Sequence, residues 1–149
     1  MKVKGLLTQK GNEAWSIGME SSVFTALKQM KTKNVGALVV VDDQGQMKGI
    51  FSERDAVRKG ILEDRDARST LVRDLMTAPV IAVSPDHSLD QCMVIMSEKH
   101  IRHLPVHDHG VLIGVVTIRD ILKNIINSQQ NKIEELETYI RGGGYGLFG

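Results

Sequence analysis

One short phrase is written twice in this chain. Gly49-Ile50-Phe51-Ser52-Glu53-Arg54-Asp55 returns 65 residues later as Gly114-Val115-Val116-Thr117-Ile118-Arg119-Asp120, with glycine, hydroxyl, arginine and aspartate in register. Each copy is a glycine, two apolar β-formers and a hydroxyl that opens a helical pattern, so each reads as a strand running into a helix N-terminus. In the second copy Ile118, Ile121, Leu122, Ile125 and Ile126 fall at i, i+3, i+4, i+7 and i+8. That spacing makes one apolar helix face, with Thr117 as its expected N-cap.

The motif carries two readings. Ser52-x-x-Asp55 and Thr117-x-x-Asp120 have capping-box spacing, in which each side chain satisfies the other residue's orphan N–H. Two details point beyond a cap. The box prefers the longer Glu or Gln, whereas both copies use Asp. Both also set an arginine, Arg54 or Arg119, in the first turn, where the helix dipole disfavours a cation. A bound anion removes that conflict. Free N–H groups, a hydroxyl and an arginine outline a phosphate site, and a nearby aspartate can accept ribose hydroxyls. Ribose at Asp with phosphate at Ser/Thr and Arg is compatible with capping.

The rest of the chain aligns from this anchor. Val3-Lys4-Gly5-Leu6-Leu7 matches Val72-Arg73-Asp74-Leu75-Met76 as a single amphipathic turn. Ala14-Trp15-Ser16-Ile17 matches Val80-Ile81-Ala82-Val83 as a short strand. Ser22 and Ser88 are candidate N-caps for helices with stripes at Val23, Ala26, Leu27, Met30 and at Leu89, Cys92, Met93, Met96. Strands follow at Gly36–Val41 and Arg102–Val106, then tight turns at Asp42-Asp43-Gln44-Gly45 and Asp108-His109-Gly110 that complete hairpins. Pro105 has no N–H, so its strand needs an edge or a vacant donor position there. The unit reads β-α-β-β-α, and about 60 residues make a marginal core alone, so the two units should pack together.

After Asn127, the stretch Gln129–Ile140 reads as a separate amphipathic helix with Ile133, Leu136 and Ile140 on its apolar side. It could pack on its own pair or on a second subunit. A glycine-rich tail, 141–149, is expected to be mobile unless Tyr145 and Phe148 find a surface.

Lys+Arg 19 against Asp+Glu 18 leaves a net charge of +1, which offers no broad footprint for nucleic acid or an anionic membrane. No signal peptide or transmembrane run is evident. The single cysteine, Cys92, excludes an internal disulfide, so a cytoplasmic chain is expected.

With two copies of Gly-h-h-Ser/Thr-x-x-Asp (h apolar), Ile101-Arg102-His103-Leu104-Pro105-Val106 and Asp74-Leu75-Met76, the chain resembles a tandem pair of cystathionine-β-synthase (CBS) domains, a Bateman module standing alone. The resemblance spans roughly residues 2 to 127. It implies an α/β (α+β) fold of two β-α-β-β-α units packed as a pseudo-twofold pair, here 1–65 and 66–127, with a C-terminal helix and tail at 128–149. It also implies two clefts for adenosine ligands: AMP, ADP, ATP, NAD or S-adenosylmethionine. By that resemblance Asp55 and Asp120 would hold ribose hydroxyls, Ser52 and Thr117 would lie near phosphate, and Arg54 and Arg119 would add phosphate contacts. Gly36 and Ala37, Arg102, His103, Leu104 and Pro105, and the short strands at Ile17 and Ile81 would border adenine. Because the first copy lacks Arg102 and His103, the two sites should be unequal, the second favouring more phosphate. CBS pairs also imply a homodimer, a flat disc, whose packing a ligand changes to bias a protein partner.

The main rival is a dimerisation adaptor whose paired motifs are caps only. A metal site at His100, His103, His107 and His109 lacks a completing cysteine or His-Glu helical motif. No nucleophile elbow, Walker loop or dinucleotide fingerprint suggests an enzyme.

Overall fold

The computed structural model describes residues 1–11 and 14–141, except for the side chain of Arg141. The tail residues 142–149, with Tyr145 and Phe148, lie outside the described residues.

The first half runs α1 (Val3–Lys10), β1 (Ser16–Gly18), α2 (Val23–Lys33), β2 (Ala37–Val41) and β3 (Met47–Ser52). It ends in α3 (Glu53–Asp55), which continues as a π-helical turn, Ala56–Gly60, and a 3-10 turn, Ile61–Glu63. The second half runs α4 (Val72–Leu75), α5 (Leu89–Lys99), β4 (His103–Asp108), β5 (Val111–Thr117) and α6 (Ile118–Arg141).

The predicted caps form. Ser22 Oγ accepts the Thr25 N–H, and Ser88 closes a capping box with Gln91. The stripes below them enter the core: Val23, Ala26 and Met30 of α2, and Leu89, Cys92 and Met96 of α5, are buried. Burial pushes the Cys92 thiol above its ordinary pKa, as expected of a core residue.

Both hairpins are antiparallel, and both slip register at the same repeat position, Val40/Val41 and Val106/His107. The sheets still differ. β1 pairs in parallel with β2, giving a three-stranded sheet, whereas the second sheet has only β4 and β5. The expected strand at Val80–Val83 reduces to one parallel bridge, Val83 to Val106. Pro105 explains the loss. In the first unit the Val39 N–H donates to Trp15 O at 3.0 Å. Pro105 stands at the matching position, so the bond to Ile81 O has no donor.

The helices after the two motifs differ as well. No glycine or proline interrupts the chain between Ile126 and Gln129, so the separate C-terminal helix expected there is the continuation of one 24-residue helix, α6.

Each lead-in helix packs in the other unit's core. Val3, Leu6 and Leu7 of α1 join Val83, Leu89, Leu104, Val116 and Ile121. Val72 and Leu75 of α4 join Ile17, Val23, Met30, Leu38 and Phe51. Reciprocal backbone bonds fasten the exchange: Val3 N–H to His87 O at 2.9 Å and Val72 N–H to Ser21 O at 2.8 Å. Leu89 N–H to Met1 O and Val23 N–H to Thr70 O form a second such pair. The hairpin tips meet at a Gln46–Val111 bridge, with Met47 N–H donating to Gly110 O and Leu112 N–H to Gly45 O. Because Gln46 and Val111 are repeat equivalents, the pseudo-twofold passes between them.

The exchange explains the motif's opening glycine. A Cβ on Gly49 would lie 2.7 Å from Met76 Sδ and 2.9 Å from Thr77 O; one on Gly114 would lie 2.8 Å from Leu7 Cδ2. Met76 and Leu7 are equivalent lead-in residues. Gly49→Ala should therefore cost about 1–3 kcal/mol by overpacking. Gly114→Ala should cost less, since only the end of a leucine side chain must give. Urea midpoints measure both; a larger loss at Gly114 contradicts this packing account.

Candidate functional site

Each motif helix starts against the first residues of the neighbouring strand. Glu53 N–H donates to Gly36 O at 3.0 Å, and Ile118 N–H to Arg102 O at 2.9 Å. With Ala37 paired to Ser52 and His103 to Thr117, the structure brings Gly36, Ala37, Ser52 and Asp55 together at one end, and Arg102, His103, Thr117 and Asp120 at the other. Arg54 and Arg119 are exposed beside them.

Both aspartates cap, short side chains notwithstanding. Ser52 N–H donates to Asp55 Oδ2 at 3.0 Å and Asp55 N–H to Ser52 Oγ at 3.1 Å. Thr117 N–H donates to Asp120 Oδ2 at 3.0 Å and Asp120 N–H to Thr117 Oγ1 at 3.1 Å.

Each carboxylate has further partners, and these differ. Buried Asp55 accepts the Thr77 hydroxyl at 3.1 Å and pairs with Lys59 at 3.2 Å, one helical turn on. Asp120 pairs with Lys10 at 2.5 Å, whose ammonium also donates to Val115 O at 2.9 Å. Lys10 ends α1, so the second site is completed by the opposite half of the chain. Burial works against ionisation of Asp120, but the Lys10 ammonium and the Thr117 N–H and hydroxyl outweigh it and hold the carboxyl below its ordinary value. His103 is within electrostatic reach of Asp120, Lys10 and Arg102. Partial loss of solvent lowers its pKa first, Asp120 pulls it back up, and the two cations lower it further.

Four candidates sit elsewhere. Ile17, Leu104 and Pro105 are buried, Ile17 and Leu104 within the two cores, so their side chains do not line an open cleft. Ile81 is exposed and precedes the lone bridge at Val83. Its repeat counterpart is Trp15, not Ile17. Half-buried Trp15 carries Lys33 over its ring at 4.7 Å. Sequence reasoning missed Lys59, Thr77 and Lys10, which meet the two aspartates. Lys59 was available from its i+4 spacing; nothing local marks Lys10.

The described histidines have separate tasks. His107 Nδ1 accepts the Gly110 N–H, His109 pairs with Asp108 and His100 ends α5. Among the described residues no His, Cys, Asp and Glu cluster is arranged to hold a metal. A cavity of about 80 Å³, lined by Val23, Leu27, Ala56, Gly60 and their neighbours, borders neither cap and is far below the roughly 300 Å³ of ordinary ligand pockets.

The Asp120 carboxyl should titrate below about 3.9, and Lys10→Met should move it back toward that ordinary value. A depressed folded pKa stabilises the fold above the unfolded value, and that contribution is lost as pH falls through the folded value. An NMR titration of wild type and variant checks the shift; an unmoved Asp120 would mean that the ion pair does not set its charge.

Comparisons with known proteins agree with the fold. The CBS domain family model matches residues 12–66 and 72–127. A mitochondrial CBS domain-containing protein of Arabidopsis thaliana, CBSX3, is 37% identical over 147 residues, covering 96% of this chain and 70% of that protein. Two solved structures, the CBS domain protein NE2398 and a CBS-domain protein of Burkholderia ambifaria assigned provisionally to signal transduction, each share 39% identity at a TM-score of 0.76. The first covers 85% of this chain and 98% of its own, the second 87% and 96%. Two family matches, one on each half of a molecule whose halves share caps, bulges and exchanged helices, show that this chain belongs to the CBS-domain family and carries a tandem pair of these domains.

Proposed function

We propose that this CBS pair is a regulatory module that binds an adenosine nucleotide, AMP, ADP, ATP or NAD, at the two capped helix starts. Asp55 and Asp120 take ribose hydroxyls; Ser52, Thr117, Arg54 and Arg119 take phosphate; the strand starts at Gly36-Ala37 and Arg102-His103 border adenine. The observation that carries the reading is the charge gathered at this end of the second unit, where Lys10 pairs with the Asp120 carboxylate and His103 lies within electrostatic reach of Asp120, Lys10 and Arg102. A diol needs the carboxylate and a phosphate needs the cations, and one nucleotide satisfies both.

Lys10 supplies the link to regulation. A phosphate that draws its ammonium from Asp120 pulls on α1, which belongs to the second core, so ligand binding favours one packing of the halves over another. Asp55 is held by the Thr77 hydroxyl and by one lysine, Lys59, a turn further along its own helix, and its strand start lacks a counterpart of Arg102, so the first site is poorer in cations and favours fewer phosphates. A cytoplasmic homodimer acting on a protein partner completes the proposal. Among the described residues no helix is long and apolar enough to cross a membrane.

One observation favours the adaptor instead: both aspartates already close capping boxes and ion pairs without a ligand. Thermal shift separates the two readings, using protein stripped of co-purified ligand, with AMP, ADP, ATP, NAD and S-adenosylmethionine. A nucleotide at about 100 times its dissociation constant adds about 2.7 kcal/mol. Asp55→Asn and Asp120→Asn keep a side-chain oxygen for the cap, and each should abolish the shift at its own site. Equal affinities of the two sites for AMP and ATP would contradict the asymmetry, and no shift from any ligand in wild type makes the protein an adaptor.

A further inference from the structure

The far end of α6 has lost the core that supports its start. Ile118, Ile121 and Ile125 pack on the second core, yet every residue from Ile126 to Ile140 is exposed. Helices in water draw most of their stability from a packed apolar face, so this length of helix calls for a covering surface.

Its sequence specifies one. Leu122, Ile126, Gln129, Ile133, Leu136 and Ile140 recur at alternating spacings of four and three, the 3.5-residue seam of a left-handed coiled coil. The apolar members are exposed by 48, 62, 49, 55 and 47% in chain order. Isoleucine occupies every a position (Ile126, Ile133, Ile140) and leucine flanks Gln129 at the d positions, the arrangement that favours two parallel strands. Asn127, Ser128, Asn131, Glu134, Glu135 and Thr138 occupy the outer b, c and f positions.

We infer that residues 122–140 form a parallel, in-register, two-stranded coiled coil with the same segment of a second copy of this chain. The surface complements itself. Lys132 at g faces Glu137 of the partner subunit at e, and symmetry repeats the pair. Gln129 faces its own copy, amide to amide, each donating to the other. An antiparallel pairing that keeps the seam sets Gln129 against Ile133 and strands a buried amide, which costs more than the pairing gains. The inference does not depend on nucleotide binding.

Cysteine cross-linking of the full chain tests it. Cys92 is buried and does not compete. Ile133→Cys should close to a covalent dimer under mild oxidation at least an order of magnitude faster than Glu134→Cys, one residue off the seam. Lys132→Glu and Glu137→Lys should each weaken the dimer in sedimentation equilibrium, and the double exchange should restore it. Equal cross-linking at 133 and 134 overturns the proposal, as does Ile133→Cys closing only when mixed with Gln129→Cys. Failure of the double exchange to restore the dimer overturns the charge pairing that selects a second copy.

Discussion

The exchange of lead-in helices is the interaction on which the rest of this molecule depends. A CBS unit this small lacks enough apolar surface to close its own core, and each completes it with the other's first helix: Val3, Leu6 and Leu7 in one direction, Val72 and Leu75 in the other. Each buried valine or leucine side chain contributes about 1.5–3 kcal/mol, so neither unit keeps its core if the pair is pulled apart. Reciprocal backbone bonds at equivalent residues give both crossings the same geometry. The glycines opening the repeated motif are the clearance this requires, since a Cβ at either one would collide with the arriving helix.

The same exchange makes the two sites unequal. Position for position, Thr77 is the equivalent of Thr8, and Lys10 of Pro79. Thr77 reaches Asp55 with its hydroxyl, while Thr8 bonds back to Lys4 O within its own helix. Lys10 reaches across to Asp120, while Pro79 has no charge to offer. Near-identical motifs therefore sit in different fields: the cation beside Asp120 comes from the opposite half, whereas Asp55 takes its cation from its own helix and only a hydroxyl from the opposite half. On the proposed reading, a ligand at Asp120 would have mechanical access to the packing of the pair through Lys10 and α1.

Helix α6 joins that site to the outside. Thr117 and Asp120 cap its start, and its 24 residues extend about 36 Å at 1.5 Å per residue. A nucleotide at the cap and a second copy at the far seam would act on one rigid element. The first unit has no such lever, because its matching helix passes into a π turn and ends at Glu63.

Much of this was legible in the chain. The repeat, both capping boxes, the Ser22 and Ser88 caps, the core stripes and the hairpins follow from local spacing, because caps and amphipathic faces are set by residues within a few positions of one another. Even the missing strand at Val80–Ala82 was written in Pro105, whose lack of an N–H matters only once its partner is known. What no local pattern revealed was the partner itself. Ile17 is buried in the first core, with Trp15 packed half-buried against it, because of how β1 seats on β2. Lys10 meets Asp120 from 110 residues away because α1 crosses to the other unit. By itself the sequence determined that the hairpins, the capped helices and the lead-in helices form, and that they form twice. Only the tertiary structure decided which half completes each core and which charge stands beside each aspartate, since long-range packing is settled by burying apolar surface, and the chain carries no local mark of where that surface will be found.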